Sequence, residues 1–356
     1  MKKEHTFPCK KCGAKLKFSP SDGKLKCQHC GELSNIEHSF EKLKEIDYYE
    51  TLAKLKNYSH NPKKIKSTKC TSCSATFKID DNIHSSICPY CSSSIVKKTE
   101  LYKPIKPQAL LPFKLSQRDA RDIFKKWLKS LWFAPNKLKE YGANIESFTA
   151  VYTPYWTYDS QTASSYTGRR GDYYYVTERV SVERDGRTVV ENREVRKIRW
   201  SYTSGNLNRS FNDVLIEASN LLKHKLSNWD LPNLVDYDEA YLSGFDSEIY
   251  SIELDDGFSS AKKIMESEIK NNVRRQIGGD EQQIISLDSQ YNNITYKHIL
   301  LPIYASAFKY NNKVYSYAIN ARSGEINGER PYSIIKITLT VLAVLATVGT
   351  IYYFSR

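Results

Sequence analysis

Residues 7–32 read FPCKKCGAKLKFSPSDGKLKCQHCGE, with two CxxC pairs, Cys9/Cys12 and Cys27/Cys30, fourteen residues apart. The same spacing returns 61 residues later in Cys70/Cys73 and Cys88/Cys91, and these eight are all the cysteines of the chain. Four thiolates in a C-x2-C-x14-C-x2-C unit close tetrahedrally on one Zn²⁺, each tight CxxC turn supplying two ligands. Gly13 and Gly31 follow the second cysteine of each pair in the first unit, where a knuckle backbone calls for positive φ; Ser74 and Ser92 stand there in the second. Such a unit is too small to fold on a hydrophobic core, so the metal supplies its folding free energy. The reading is two structural Zn²⁺ sites, Cys9, Cys12, Cys27, Cys30 and Cys70, Cys73, Cys88, Cys91. Neither has an open position for water or substrate, and His29 is not expected to be a fifth ligand. Disulfides or a thioredoxin-like pair compete for the same cysteines. The absence of a secretory leader ahead of Cys9 argues against them and for a reducing compartment.

Working outward, the 356 residues carry 53 Lys and Arg against 40 Asp and Glu, a net charge of +13. Residues 1–106 hold 21 Lys and 11 acids, so +10 of the surplus lies there. Two zinc tetrathiolates, each formally −2, reduce that to about +6. Lys63, Lys64, Lys66 and Lys69 form the densest cluster. A lysine run of this kind is a solvated face unless phosphate or anionic lipid meets it. Between the cysteine units, Phe40, Leu43, Ile46, Leu52 and Leu55 recur at loosely helical intervals and predict a short spacer helix.

Residues 337–354 read ITLTVLAVLATVGTIYYF, eighteen uncharged residues. As a helix they rise roughly 27 Å, and with Ile334, Ile335 and a snorkelling Lys336 they match a hydrocarbon layer of about 30 Å. Arg330 and Lys336 on the near flank put the body of the protein on the cytoplasmic side of a bacterial inner membrane, as a single-pass, tail-anchored chain.

The middle lacks the chemistry of the usual enzyme classes: no G-x-x-x-x-G-K-[ST] loop, no GxSxG elbow, no HExxH and no spare cysteine. Asp238-Glu239-Ala240-Tyr241 resembles a helicase acidic box only superficially. No catalytic residue is assigned. A helix is predicted from Leu115 to Phe133, with Ser116 and Asp119 as a capping box and Ala120, Ile123, Phe124, Trp127, Leu128 and Leu131 in one stripe. Strands are expected at 151–158, 173–182 and 187–200, the last two joined across Asp185-Gly186. Helices follow near 213–226 and 259–275, then strands over 294–327 with turns at Asn311-Asn312 and Ser323-Gly324-Glu325. Two aromatic-proline strands, Thr153-Pro-Tyr-Trp156 and Leu301-Pro-Ile-Tyr304, resemble each other. Tyrosines beside Arg169, Arg170, Arg199 and Lys309 are core and sheet surface, or a platform on which single-stranded bases stack.

The fold class is therefore α+β, with two rubredoxin-like zinc ribbons, a mixed α+β middle domain and one C-terminal transmembrane helix. The division is residues 1–36 (first ribbon), 37–62 (helical spacer), 63–106 (second ribbon), 107–332 (α+β domain) and 333–356 (membrane helix and tail).

Several residue strings carry a resemblance. They are the paired ribbons, Leu111-Pro-Phe113, Val151-Tyr-Thr-Pro-Tyr-Trp156, Tyr241-Leu-Ser-Gly-Phe245 with Glu248-Ile-Tyr250, Leu300-Leu-Pro-Ile-Tyr304 and Asn320-Ala-Arg-Ser-Gly-Glu-Ile-Asn-Gly-Glu-Arg-Pro-Tyr-Ser333. In this order the chain resembles bacterial double-ribbon proteins with a C-terminal membrane span, a family often labelled similar to the primosomal helicase (replication factor Y). The resemblance implies a membrane platform for cytosolic or membrane-associated proteins, including envelope-stress proteins of the phage-shock type, with the bilayer held through residues 337–354. It supplies no catalytic residues, and the helicase label has no ATPase motif behind it here. A membrane adaptor is the expected function. A zinc-ribbon nucleic-acid binder is the alternative, and an enzyme the third class.

Overall fold

The computed structural model describes residues 7–36, 43–58, 66–69, 76–78, 85–87, 94–96, 100–101, 105–141, 148–184, 187–220, 225–311 and 313–355. The chain begins with a small sheet of β1 (Leu16–Ser19), β2 (Lys24–Cys27) and β3 (Leu33–Ser34), all antiparallel. Then come β4 (Ile46–Asp47) and α1 (Tyr48–Tyr58), followed by β5 (Lys66–Lys69), β6 (Thr76–Lys78), β7 (Ser85–Ile87), β8 (Ser94–Val96) and β9 (Glu100–Leu101). After β10 (Ala109–Leu110) come α2 (Gln117–Ser130) and α3 (Asn136–Tyr141). The long strands β11 (Thr149–Arg184) and β12 (Arg187–Glu217) are followed by β13 (Val235–Asp236), β14 (Asp246–Ser247) and α4 (Leu254–Ile277). The chain closes with β15 (Glu281–Tyr310), β16 (Lys313–Asn320), β17 (Ile326–Gly328) and α5 (Ile334–Phe354). The described elements are mixed α+β with strands predominating, as the sequence implies.

Three long antiparallel strands, in the order β12-β11-β15, form the spine. The outer edge of β15 is taken in turn by β4 at Tyr296, β10 at Ile299 and β16 from Ile303 onward. β-Branched and aromatic residues suit a pleated surface buried on one or both sides. Tyr152, Trp156 and Tyr158 point to one face of β11, with Tyr155 on the other, and all four are buried. The two aromatic-proline strings prove to be partners: Pro154 stands opposite Leu300 and Pro302 opposite Tyr152. Their carbonyls accept from the Ala218 and Ala321 N–H groups, so each proline strand still bonds outward.

Helix α4 covers one end of that face. Leu254, Phe258, Ala261, Met265, Ile269, Val273 and Ile277 recur every three or four residues and bury against Trp156, Tyr158, Tyr166 and Tyr296. A Cβ at Gly257 would lie 2.8 Å from Trp156 Cδ1, so only glycine lets the helix approach this closely. Helix α2 covers the other end. Its capping box is formed as expected, Ser116 accepting from the Asp119 N–H while the Asp119 carboxylate takes the Ser116 N–H at 2.8 Å.

Beyond Gly171, where β15 begins at Glu281, β11 and β12 continue, among the described residues, as a two-stranded arm from Asp172↔Arg199 to Arg184↔Arg187. At roughly 3.3 Å per residue this arm is about 40 Å long. Residues 151–158 and 173–182, expected as separate strands, are thus one strand. Asp185-Gly186, the expected turn, lies outside the described residues, and the pair flanking it is in register.

Other expectations need correction. The helix expected over 213–226 does not form in its described part: residues 213–217 end β12, where Val214 and Ile216 pair with Tyr158 and Trp156. Pairing to a buried aromatic strand outweighs a locally helical spacing. Residues 221–224 lie outside the described residues. The last strand set starts at Glu281 rather than 294 because the strand is recruited along the whole flank of β11. The segment after the first ribbon is no bare spacer. Ile46 pairs with Tyr296, Tyr48 is buried against Phe258, and its hydroxyl bonds to Asp255. Glu45 accepts from Thr295 Oγ1 (2.8 Å) and from Lys297 Nζ (3.1 Å), and Lys297, only 7% exposed, also meets Asp213 at 2.8 Å.

Candidate metal centre

Cys9, Cys12, Cys27 and Cys30 come together because two knuckles face each other across the β1–β2 hairpin. Pro8 bridges Lys15 around the first pair, and the Cys27 N–H bonds the Glu32 carbonyl around the second. Each knuckle closes through a glycine N–H, Gly13 to the Cys9 carbonyl and Gly31 to the Cys27 carbonyl, at φ of 73° and 76°. A side chain is strained at that φ, which is why glycine occupies both positions.

The four sulfurs lie within 4.8 Å of one another, with Cys9–Cys30 at 3.6 Å and Cys12–Cys27 and Cys12–Cys30 at 3.5 Å. Sulfurs about 2.3 Å from a tetrahedral Zn²⁺ stand roughly 3.8 Å apart, so the donor set fits such an ion. A disulfide would need about 2.05 Å, and all four are free thiols. The Cys30 backbone N–H, 3.4 Å from the Cys27 sulfur, and that of His29 lower the Cys27 thiol to about 6. At Cys12 the backbone at Ala14 favours thiolate but is outweighed by the sulfurs of Cys30 and Cys27, which push it up to about 12. A cation held by the four sulfurs would take them as thiolates and displace protons on binding. His29 is exposed and stands outside the sulfur cluster.

The ribbon is seated on the main domain. Phe18 is buried against Tyr241 (5.1 Å between centroids) and Phe245 (6.2 Å). Its N–H bonds the Ser243 carbonyl at 2.9 Å, and Ser243 Oγ donates to the Leu16 carbonyl at 2.7 Å. Gly244, at φ 94°, passes under the Lys17 side chain. Phe245 in turn stacks on Phe113 at 4.2 Å, so Leu111-Pro-Phe113 and Tyr241-Leu-Ser-Gly-Phe245 form one platform under the metal module. Sequence reasoning singled out these strings without a role; their aromatic spacing around Gly244 was the available signal.

Asn320 to Glu325 is likewise architectural. Asn320 Oδ1 accepts from the Arg322 and Ser323 N–H groups, Arg322 Nε donates to Asp230 at 3.0 Å, and Glu325 accepts from Ser227. The tyrosine platforms carry their own cations: Arg169 lies over Tyr202 at 4.7 Å and Arg199 over Tyr174 at 5.1 Å, while Arg170 pairs with Asp172. Nothing is described of the Lys309 side chain.

Cys70, Cys73, Cys88 and Cys91 lie outside the described residues, as do Lys63 and Lys64. The strands that flank them in sequence are described. Lys69 pairs with Thr76 as Pro8 does with Lys15, and Ile87 and Ser86 pair with Ser94 and Ile95 as Lys26 and Leu25 do with Leu33 and Ser34. Each match is displaced by the same 61 residues as the cysteines.

The helix α5 spans 21 residues, none of it buried, with a mean hydropathy of 2.1 over its most apolar 18-residue window, and is long and apolar enough to cross a membrane. Lys336 does not snorkel: its ammonium donates to the Ala134 carbonyl (2.8 Å), the Trp132 carbonyl (3.2 Å) and Asn136 Oδ1 (2.7 Å).

No family model and no solved structure matches the chain. A curated protein of Bacillus subtilis (strain 168), "Uncharacterized protein YdjG", is 23% identical over 342 residues, covering 92% of this chain and 90% of the relative. The similarity thus runs through most of both chains and carries no function with it.

Proposed function

We propose that the chain is a membrane-anchored, zinc-stabilised adaptor, non-enzymatic, which presents a docked ribbon and a projecting β-arm to cytosolic or membrane-associated proteins. The observation that carries this reading is the combination of the exposed apolar helix α5, bonded at its base to the body, with a candidate metal module seated on the same body. An anchor and a fixed display surface are what a platform needs; no catalytic constellation is required of it. The body faces the cytoplasm of a bacterial cell in this reading, after the lysine and arginine flank of α5. Its partner class is that implied by the resemblance to double-ribbon membrane proteins, with phage-shock-type envelope-stress proteins among the candidates.

Two structural zincs belong to the same proposal. The second, on Cys70, Cys73, Cys88 and Cys91, is supported by the strand register that repeats at the interval of the cysteines.

Nucleic acid is the second reading, favoured by the exposed lysines of the first ribbon, Lys10, Lys11, Lys15, Lys17 and Lys24. Against it, Tyr174 and Tyr202 already stack on arginines of the same arm, which leaves less free ring face for a base. The test is fluorescence anisotropy of the zinc-loaded chain in lipid nanodiscs with single- and double-stranded oligonucleotides at two salt concentrations. Micromolar binding at physiological salt that falls steeply with added salt would replace the adaptor reading. The adaptor reading expects no such binding. It expects a bound protein that survives nuclease treatment and is lost when the arm is shortened by matched residues from both strands.

A further inference from the structure

The turn joining α2 to α3 exposes a large aromatic pair, Trp132 at 74% and Phe133 at 37%. That turn is bonded to the foot of α5. The Ser333 N–H donates to the Phe133 carbonyl at 2.7 Å, and Lys336 Nζ donates to the Trp132 carbonyl at 3.2 Å and the Ala134 carbonyl at 2.8 Å. Lys336 thereby holds the turn itself, through carbonyls one and three residues past Leu131, the C-cap of α2. With its ammonium spent on protein oxygens, it does not reach lipid phosphates. Other groups stand round the same foot: Tyr332, Ile334 and Ile335 are exposed, Arg330 lies 5.3 Å over the Tyr332 ring, and Lys137 is exposed on α3.

We propose that this elbow is a bilayer-contact surface: Trp132, with Phe133 and Tyr332, sits in the headgroup layer of the membrane that α5 crosses, and Arg330 and Lys137 meet the phosphates. The inference rests on the reading of α5 as a span. Its occupant is set by continuity, since the exposed indole begins one hydrogen bond from the first turn of the apolar helix. A group that near the foot of a span lies at interfacial depth, the headgroup region being only some 5–8 Å thick on each side. Indole is amphipathic and gathers at that depth, and cations beside it gain from anionic phosphates. The body of the protein would then lie against the membrane in one orientation rather than swing from a flexible stalk.

The test uses the full chain in vesicles of phosphatidylcholine and phosphatidylglycerol, with and without lipids brominated near the top of the acyl chain. Tryptophan emission is read for the wild type, Trp132→Phe and Trp200→Phe, after an alkaline carbonate wash. The expected result is quenching of the wild type, retained in Trp200→Phe and reduced by about half or more in Trp132→Phe, as an interfacial indole requires. Undiminished quenching in Trp132→Phe, or none in the wild type, in chains that resist the wash overturns the proposal and leaves the span intact. Extraction of the chain by carbonate would instead remove the span reading, and the elbow proposal with it.

Discussion

Phe18 of the first ribbon and Tyr241 of the main domain meet edge to face, 5.1 Å between centroids and 62° between ring planes. Offset and edge-on aromatic pairs add to the burial of both rings, and here they join a metal module to a sheet that is complete without it. The ribbon's sulfurs and its seat use different residues, so loading and docking are separable.

Phe18→Ala is expected to release the ribbon without emptying it. Losing a buried phenyl costs about 3 kcal/mol or more at the seat, while the four cysteines are untouched. Zinc content by atomic absorption should stay unchanged, and trypsin should cut at Lys24 and Lys26 faster than in the wild type.

The purified chain should hold two zinc ions. Replacing Cys9 and Cys12 by Ser removes one, and replacing Cys70 and Cys73 removes the other. A wild-type content of one, unaffected by the second pair of changes, would refute the second site. Because each ligand must lose its proton, zinc should leave as pH falls well below neutrality.

Gly257→Ala should destabilise the domain, although alanine is the better helix former. The added Cβ would meet the Tyr158 hydroxyl at 2.4 Å and Trp156 at 2.8 Å. Overpacking of this kind costs roughly 1–3 kcal/mol, more than the propensity gain of about 1 kcal/mol. A lower thermal midpoint is the expected reading; an unchanged or higher one would mean that α4 is not pressed on β11.

His298 gives the core a sensitivity to acid. Buried between Trp156 and Tyr250, its Nδ1–H donates to the Ile105 carbonyl at 2.8 Å, and burial lowers it from 6.5 to about 4. Between those values the unfolded chain binds more protons than the folded one, so this contribution weakens as pH falls from 6.5 toward 4 and is complete above 6.5. By pH 4 the loss is on the order of 3 kcal/mol. Desolvated Asp159, raised to about 6 with Glu45 beside it, works in the opposite direction. The histidine's share is therefore read as a difference. Between pH 7 and pH 5 the denaturation midpoint should fall more in the wild type than in His298→Phe.

Much of this was legible in the sequence because it is written locally. The Cys9, Cys12, Cys27 and Cys30 knuckles, the Ser116–Asp119 cap and the uncharged run ending at Phe354 each depend on residues a few positions apart. The failures share an opposite cause. Residues 213–217 became strand because Trp156 and Tyr158, more than fifty residues earlier, pair with them. Glu45, Ile46 and Tyr48 read as linker because their partners, Thr295, Tyr296, Lys297 and Asp255, lie far along the chain. The role of Tyr241-Leu-Ser-Gly-Phe245 as a seat was hidden for the same reason: its complement is Phe18.

That distance has a temporal consequence. The bond from Ser243 to Leu16 closes 227 residues of chain and that from Thr295 to Glu45 closes 250. Closing such loops costs entropy before any contact compensates it, and folds dominated by distant pairings form slowly. A thiolate ribbon, by contrast, needs only some twenty neighbouring residues and an ion. Each molecule would thus pass through an interval in which the metal module is finished, Phe18 is bare, and the platform that will cover it does not yet exist.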